Sequence, residues 1–119
     1  MDYPDAQPAA TAIEHERRRY PRCSVHVQVE IHLEDSDIPL RLETTDLSRG
    51  GCYIQLMMTL SIDTLVRIKL WLDGQPIILH GRVVTCHPQF GNGIMFIDFE
   101  GQAEQLLLGY LAAVVATSE

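Results

Sequence analysis

The chain has 119 residues, 46% of them hydrophobic and 21% charged, with nine Lys or Arg against sixteen Asp or Glu and a formal net charge of -7. That is one domain's worth of sequence, too apolar for a disordered protein, and its acidity argues against DNA or RNA as the main partner because phosphate repels the net charge. No apolar run reaches the roughly 18 residues of a spanning helix, so no membrane insertion is expected. The N-terminal MDYPDAQPAATAIEHE has neither the basic nor the apolar region of a secretory signal. Cys23, Cys52 and Cys86 are widely spaced and form no CxxC pair, which fits inert thiols in a reducing cytoplasm.

Taken in chain order, residues 1–13 are rich in Ala, Pro and Asp without periodicity and read as a flexible N-terminal tail. An arginine cluster follows: Arg17, Arg18, Arg19 and Arg22. Val25, Val27, Val29, Ile31 and Leu33 then alternate with polar residues, the period of a half-buried strand. Asp35-Ser36-Asp37 is a turn signal, and Ile38, Leu40 and Leu42 resume the alternation as a return strand. Asp46-Leu47-Ser48-Arg49-Gly50-Gly51 breaks it, and a short apolar strand runs from Cys52 to Met57. Leu65 to Leu72 alternates again, Asp73-Gly74 is the strongest hairpin signal in the chain, and Pro76 to Cys86 answers it. Gly91-Asn92-Gly93 reads as another turn before a strand from Ile94 to Phe99. After Gly101 the period becomes helical. Leu107, Tyr110, Leu111, Val114 and Val115 share one stripe of a helix over about 102–116, widened by Leu106 and Leu108. The expected fold class is all-β, about six antiparallel strands in a small barrel or split barrel with a C-terminal α-helix, because closing the sheet removes its edges.

Metal and catalytic chemistry find little support. His26 and His32 share the polar face of one strand but are about 20 Å apart, too far to hold one ion. No Cys or His pair has zinc-site spacing, and the five histidines read as surface residues. Ser48 does not stand in a GxSxG elbow, and there is no GxxxxGK[ST] phosphate loop. No cofactor is expected.

Two constellations remain. The guanidinium fork matches phosphate or a guanine edge bidentately, so several Arg in six residues make a clamp; a solvated basic segment paired with Glu14 and Glu16 would account for them as well. In the DxSxxG pattern, the Asp46 carboxylate can accept two N–H bonds from one guanine edge, and Ser48 adds a hydroxyl able to donate or accept. Gly50 and Gly51 permit positive φ and let a flat ring approach the backbone. The alternative is an Asx or Ser turn that only shapes the loop.

In that order, the two motifs resemble the PilZ domain family, bacterial receptors for cyclic di-GMP. RxxxR is Arg18-Arg19-Tyr20-Pro21-Arg22, DxSxxG is Asp46 to Gly51, and FGNGIMF matches the family's texture near the barrel's end. The resemblance spans about residues 14–116, taken as one domain. It implies a six-stranded antiparallel barrel with a C-terminal helix. Arg18 and Arg22 would clamp guanine edges and phosphates, and Asp46 and Ser48 would bind a guanine edge. Gly51, with Gly50, would keep the loop open. Arg17, directly before RxxxR, stands where the family associates an Arg with an intercalated ligand dimer. The ligand implied is cyclic di-GMP, with no DNA or RNA partner.

Ordering residues 16–22 on binding would cost roughly 7–14 kcal/mol. Micromolar affinity would therefore need gross contacts on the order of 15–22 kcal/mol. Charge-assisted hydrogen bonds at about 1.5–3 kcal/mol each do not easily reach that, so guanidinium stacking on guanine faces must contribute. Tyr20 is a further stacking candidate, and Pro21 lowers the ordering cost by restricting the free chain. The expectation is a receptor and adaptor whose arginine arm orders on ligand binding and relays the signal to a downstream protein partner. A PilZ-like interaction module that binds no nucleotide is the alternative, and an enzyme acting on the dinucleotide is a third reading, disfavoured by the lack of a metal cluster.

Overall fold

The computed structural model describes residues 22–118. Six strands appear in it: β1 (Gln28–Leu33), β2 (Leu40–Leu47), β3 (Gly51–Gln55), β4 (Leu65–Leu72), β5 (Gln75–His87) and β6 (Gly91–Phe99), followed by helix α1 (Ala103–Ser118). All pairings are antiparallel, and the sheet closes into a barrel in the order β1-β2-β3-β6-β5-β4, with β4 returning to β1. Closure pairs every edge, as the alternating pattern anticipates. The inward set includes Val29, Ile31, Ile54, Ile68, Leu70 and Leu79, each no more than 1% exposed.

The hairpin at Asp73-Gly74 forms as read. Both residues have positive φ, 52° and 81°, the requirement of the two-residue turn whose twist suits paired strands. Leu72 and Gln75 then face each other in register. Helix α1 starts after Gly101 (φ 58°), packs on β4 and β5, and buries Ala103, Leu107 and Leu111 at four-residue spacing. Leu108 and Val115 remain on its exposed side.

One turn is placed elsewhere. Gly91, Asn92 and Gly93 lie inside β6, and the turn falls at residues 88–90. The glycines answer crowding rather than turn geometry. A Cβ on Gly91 would stand 2.3 Å from the Ile54 carbonyl oxygen, and one on Gly93 would stand 2.4 Å from Thr85 Oγ1. Asn92 is fully buried. Its Oδ1 accepts the Leu60 N–H (2.7 Å), and its Nδ2 donates to the carbonyls of Leu60 (2.9 Å) and Thr85 (3.0 Å). It thereby staples the 56–64 crossing to the barrel, since a buried amide must find partners.

Residues 23–27 keep the alternating pattern, with Val27 buried and His26 exposed, but strand β1 itself begins at Gln28. The reason is Thr44, wholly buried in β2. Its Oγ1 donates to the Val25 carbonyl (2.7 Å) and accepts the Val27 N–H (3.0 Å). A side chain thus replaces one rung on this side of β2, while on its other side β2 shifts register against β3 between Thr44 and Asp46.

Candidate ligand-binding site

The two motifs meet at the end of β2. Cys23 makes an isolated antiparallel bridge with Leu47: the Cys23 N–H donates to the Leu47 carbonyl (2.8 Å), and the Leu47 N–H donates to the Cys23 carbonyl (2.9 Å). Together with the Thr44 stitches, this bridge lays residues 22–27 along β2. Arg22 therefore comes beside Asp46, with Nη1 at 3.8 Å from Oδ2. Their side chains are 50% and 27% exposed. Such a long, wet ion pair is worth about 0–1 kcal/mol, so an anionic ligand can exchange it at little cost. Arg17 and Arg18, the other two arginines expected at the site, lie outside the described residues, as do Tyr20, Pro21 and the tail.

Asp46 sits directly opposite Tyr53 of β3. Its neighbours Leu47 and Cys52 point into the barrel, so Asp46 and Tyr53 stand together on the outer surface. Burial, reinforced by the Asp46 carboxylate, pushes the Cys52 thiol up to about 12. That thiol is inert at neutral pH.

Ser48 behaves as the loop-shaping alternative describes. It is only 7% exposed. Its Oγ accepts the N–H groups of Gly50 (3.1 Å) and Gly51 (3.2 Å), and the Ser48 N–H donates to the Gly51 carbonyl (2.8 Å). The hydroxyl faces its own loop rather than an open site. Gly51 also differs from expectation. The glycines with positive φ among the described residues are Gly74 and Gly101. Gly51 is required because a Cβ there would lie 2.1 Å from the Ile94 carbonyl oxygen of β6. Gly50 contributes its carbonyl, which accepts the Phe96 N–H (2.8 Å). Arg49, between Ser48 and Gly50, forms an ion pair with Glu104 in the first turn of α1. The loop is thus fastened to β6 and to the helix.

Two residues near Asp46 escaped sequence reasoning. Tyr53 Oη hydrogen-bonds His87 Nδ1 (2.9 Å), and the rings stand at 72° with centroids 5.7 Å apart. Burial raises the Tyr53 phenol, and Cys86 and Asp46 add to this. Alternation alone puts Tyr53 outside, but His87 is 34 residues away and arrives only through the pairing of β3 with β6 and of β6 with β5. Among the described residues no group of three or more His, Cys, Asp or Glu is placed to hold a metal ion. No helix among them is long and apolar enough to cross a membrane.

A family model described as the PilZ domain matches residues 16–113. Among solved structures, the chain resembles the Bacillus subtilis inhibitor of motility MotI/DgrA, at TM-score 0.72 and 18% identity, over 87% of this chain and 53% of that one. The PilZ domain of CeSA from a cellulose-synthesizing bacterium is similar at TM-score 0.58 and 28% identity, over 83% of this chain and 99% of that one. Escherichia coli YcgR, solved in complex with c-di-GMP, matches at TM-score 0.72 and 19% identity, over 86% of this chain and 47% of that one. The chain therefore spans about half the length of the Bacillus and YcgR proteins. No curated protein matches it.

Proposed function

The chain belongs to the PilZ domain family, and from that premise we propose that it is a cyclic di-GMP receptor and adaptor rather than an enzyme. One observation carries this reading. Arg22 of RxxxR and Asp46 of DxSxxG, remote in sequence, stand 3.8 Å apart on the outside of the barrel. A cation and a carboxylate side by side match a ligand that offers phosphate oxygens and guanine N–H donors together.

Each residue then has a role. Asp46 accepts the N–H pair of one guanine. Arg22 leaves its weak pairing with Asp46 to clamp a phosphate or guanine edge, since charge-assisted hydrogen bonds at about 1.5–3 kcal/mol each outweigh the pair they replace. Arg18 completes the clamp, and Arg17 favours an intercalated ligand dimer. Ser48, Gly50 and Gly51 act through the shape of the loop that follows Asp46. The segment before Cys23 orders over the ligand and forms a new surface for a downstream protein. Its root is already pinned by the Cys23–Leu47 bridge, so ordering starts from an anchored end.

Calorimetric titration of cyclic di-GMP into the parent, Arg22→Ala and Arg82→Ala tests the reading. Binding by the parent, a loss of about tenfold or more in Arg22→Ala by the worth of one charge-assisted contact, and unchanged affinity in Arg82→Ala are expected. The nucleotide should be recovered intact, and affinity should fall with salt. Equal affinities of the two variants would overturn the residue assignment. No heat with the parent would favour the interaction module that binds no nucleotide. Amide exchange over residues 14–22, with and without ligand, tests the ordering step, which unchanged protection would sink.

A further inference from the structure

We propose that Tyr53 is a stacking platform for the base held at Asp46, a binding residue outside both family motifs; this rests on the receptor reading above. An outward position on β3 does not need an aromatic side chain for the core, because Cys52 and Ile54 on either side supply the inward contacts. Yet Tyr53 is half-buried and held from several directions. Its phenol end lies over Gly91, where an added Cβ would meet Tyr53 Oη at 3.0 Å and Cζ at 3.1 Å. Its hydroxyl is hydrogen-bonded to His87 Nδ1 at 2.9 Å. On β6 it faces Gly93, which carries no side chain to compete for the same surface. Glycine at 91 and 93 therefore leaves room for the ring, and His87 holds its end.

Tyr53 is the direct cross-strand neighbour of Asp46, and such neighbours hold their Cβ atoms about 4.5–5.5 Å apart, with the ring reaching on over β6 towards His87. A purine whose N–H edge is held by the Asp46 carboxylate extends its ring across about that span. A pre-placed aromatic surface also reduces the ordering cost of binding, since a pinned side chain has little rotamer freedom left to lose. Arg22 covers the same base or its phosphate from the other side of Asp46.

The test is calorimetric titration of cyclic di-GMP into the full chain and its Tyr53→Ala, Tyr53→Leu and Tyr53→Phe forms, with thermal melts to confirm folding. Stacking on an aromatic is worth about 1–3 kcal/mol per base, so Tyr53→Ala and Tyr53→Leu should each weaken binding by about tenfold or more. Tyr53→Phe, which keeps the π-face, should stay close to the parent. In the parent, saturating ligand should move the Tyr53 ring-proton resonances upfield, a reading that needs no variant to fold. Parent-like affinity in Tyr53→Leu, or unmoved Tyr53 resonances in a saturated parent, would overturn the platform while leaving the receptor reading intact. A parent that binds no cyclic di-GMP would remove both.

Discussion

The turns at 48–51 and 73–74 both carry glycine and both join antiparallel strands, but different forces hold them. At 73–74 the conformation is local. Asp73 and Gly74 adopt positive φ, and a Cβ on Gly74 would meet nothing within 4 Å. At 48–51 the turn is held by distant groups: Ile94 presses on Gly51, Phe96 donates to the Gly50 carbonyl, and Glu104 pairs with Arg49. The first turn only reverses a strand. The second fixes the end of β2 that carries Asp46, and it draws rigidity from β6 and α1.

Gly51→Ala should break this contrast most severely. The new methyl meets a backbone oxygen that cannot swing away, so a loss of about 3 kcal/mol in urea unfolding is expected, together with weakened ligand binding. Parent-like stability would show that β6 gives way easily there. Ser48→Ala comes next. It strips the N–H groups of Gly50 and Gly51 of their acceptor, for a loss of about 1–2 kcal/mol by the same measurement. Gly74→Ala tests the local turn. Its φ of 81° suits an L side chain poorly, at about 1 kcal/mol, and Gly74→Asn should cost less because Asn tolerates that region. Neither change should alter cyclic di-GMP affinity; if either does, the two turns are coupled.

Glu104→Gln removes a pair whose side chains are 35% and 39% exposed, so less than about 0.5 kcal/mol should be lost. The smallest effect at neutral pH belongs to Cys52. Its thiol is raised from 9.0 to about 12 in the fold. The folded state therefore favours the neutral form. Stability should be untouched below about pH 9 and should fall as pH rises from 9 towards 12, where only the unfolded thiol ionises. Iodoacetamide should leave native Cys52 unmodified at pH 8, as peptide mass mapping would show.

The period-2 runs located the strands. Leu65 to Leu72 matches β4 residue for residue, and the Asp73-Gly74 signal predicted both the turn and its backbone. The motif residues of the candidate site were legible too, because Arg, Asp, Ser and Gly at those spacings have few other uses together. Misreadings arose where one residue type serves two purposes. Gly91 and Gly93 punctuate a turn in sequence terms, but in the barrel they make room for Ile54, Thr85 and the Tyr53 ring. Ser48 is not such a case: in the fold its hydroxyl accepts two N–H groups of its own loop, the turn reading that the sequence also offered.

By itself, then, the sequence determined the strand count, the inward and outward faces, the terminal helix and the two motifs that carry Arg22 and Asp46. These follow from side-chain period and local turn chemistry, which need only neighbouring residues. The tertiary structure alone decided that β6 lies beside β3, that Arg22 reaches Asp46, and that His87 pins Tyr53 next to them. Alternation says which face of a strand a residue occupies but not which strand lies alongside. That is set by closing the barrel, where buried Thr44 and Asn92 must find partners and the close approaches at Gly51, Gly91 and Gly93 leave no room for side chains.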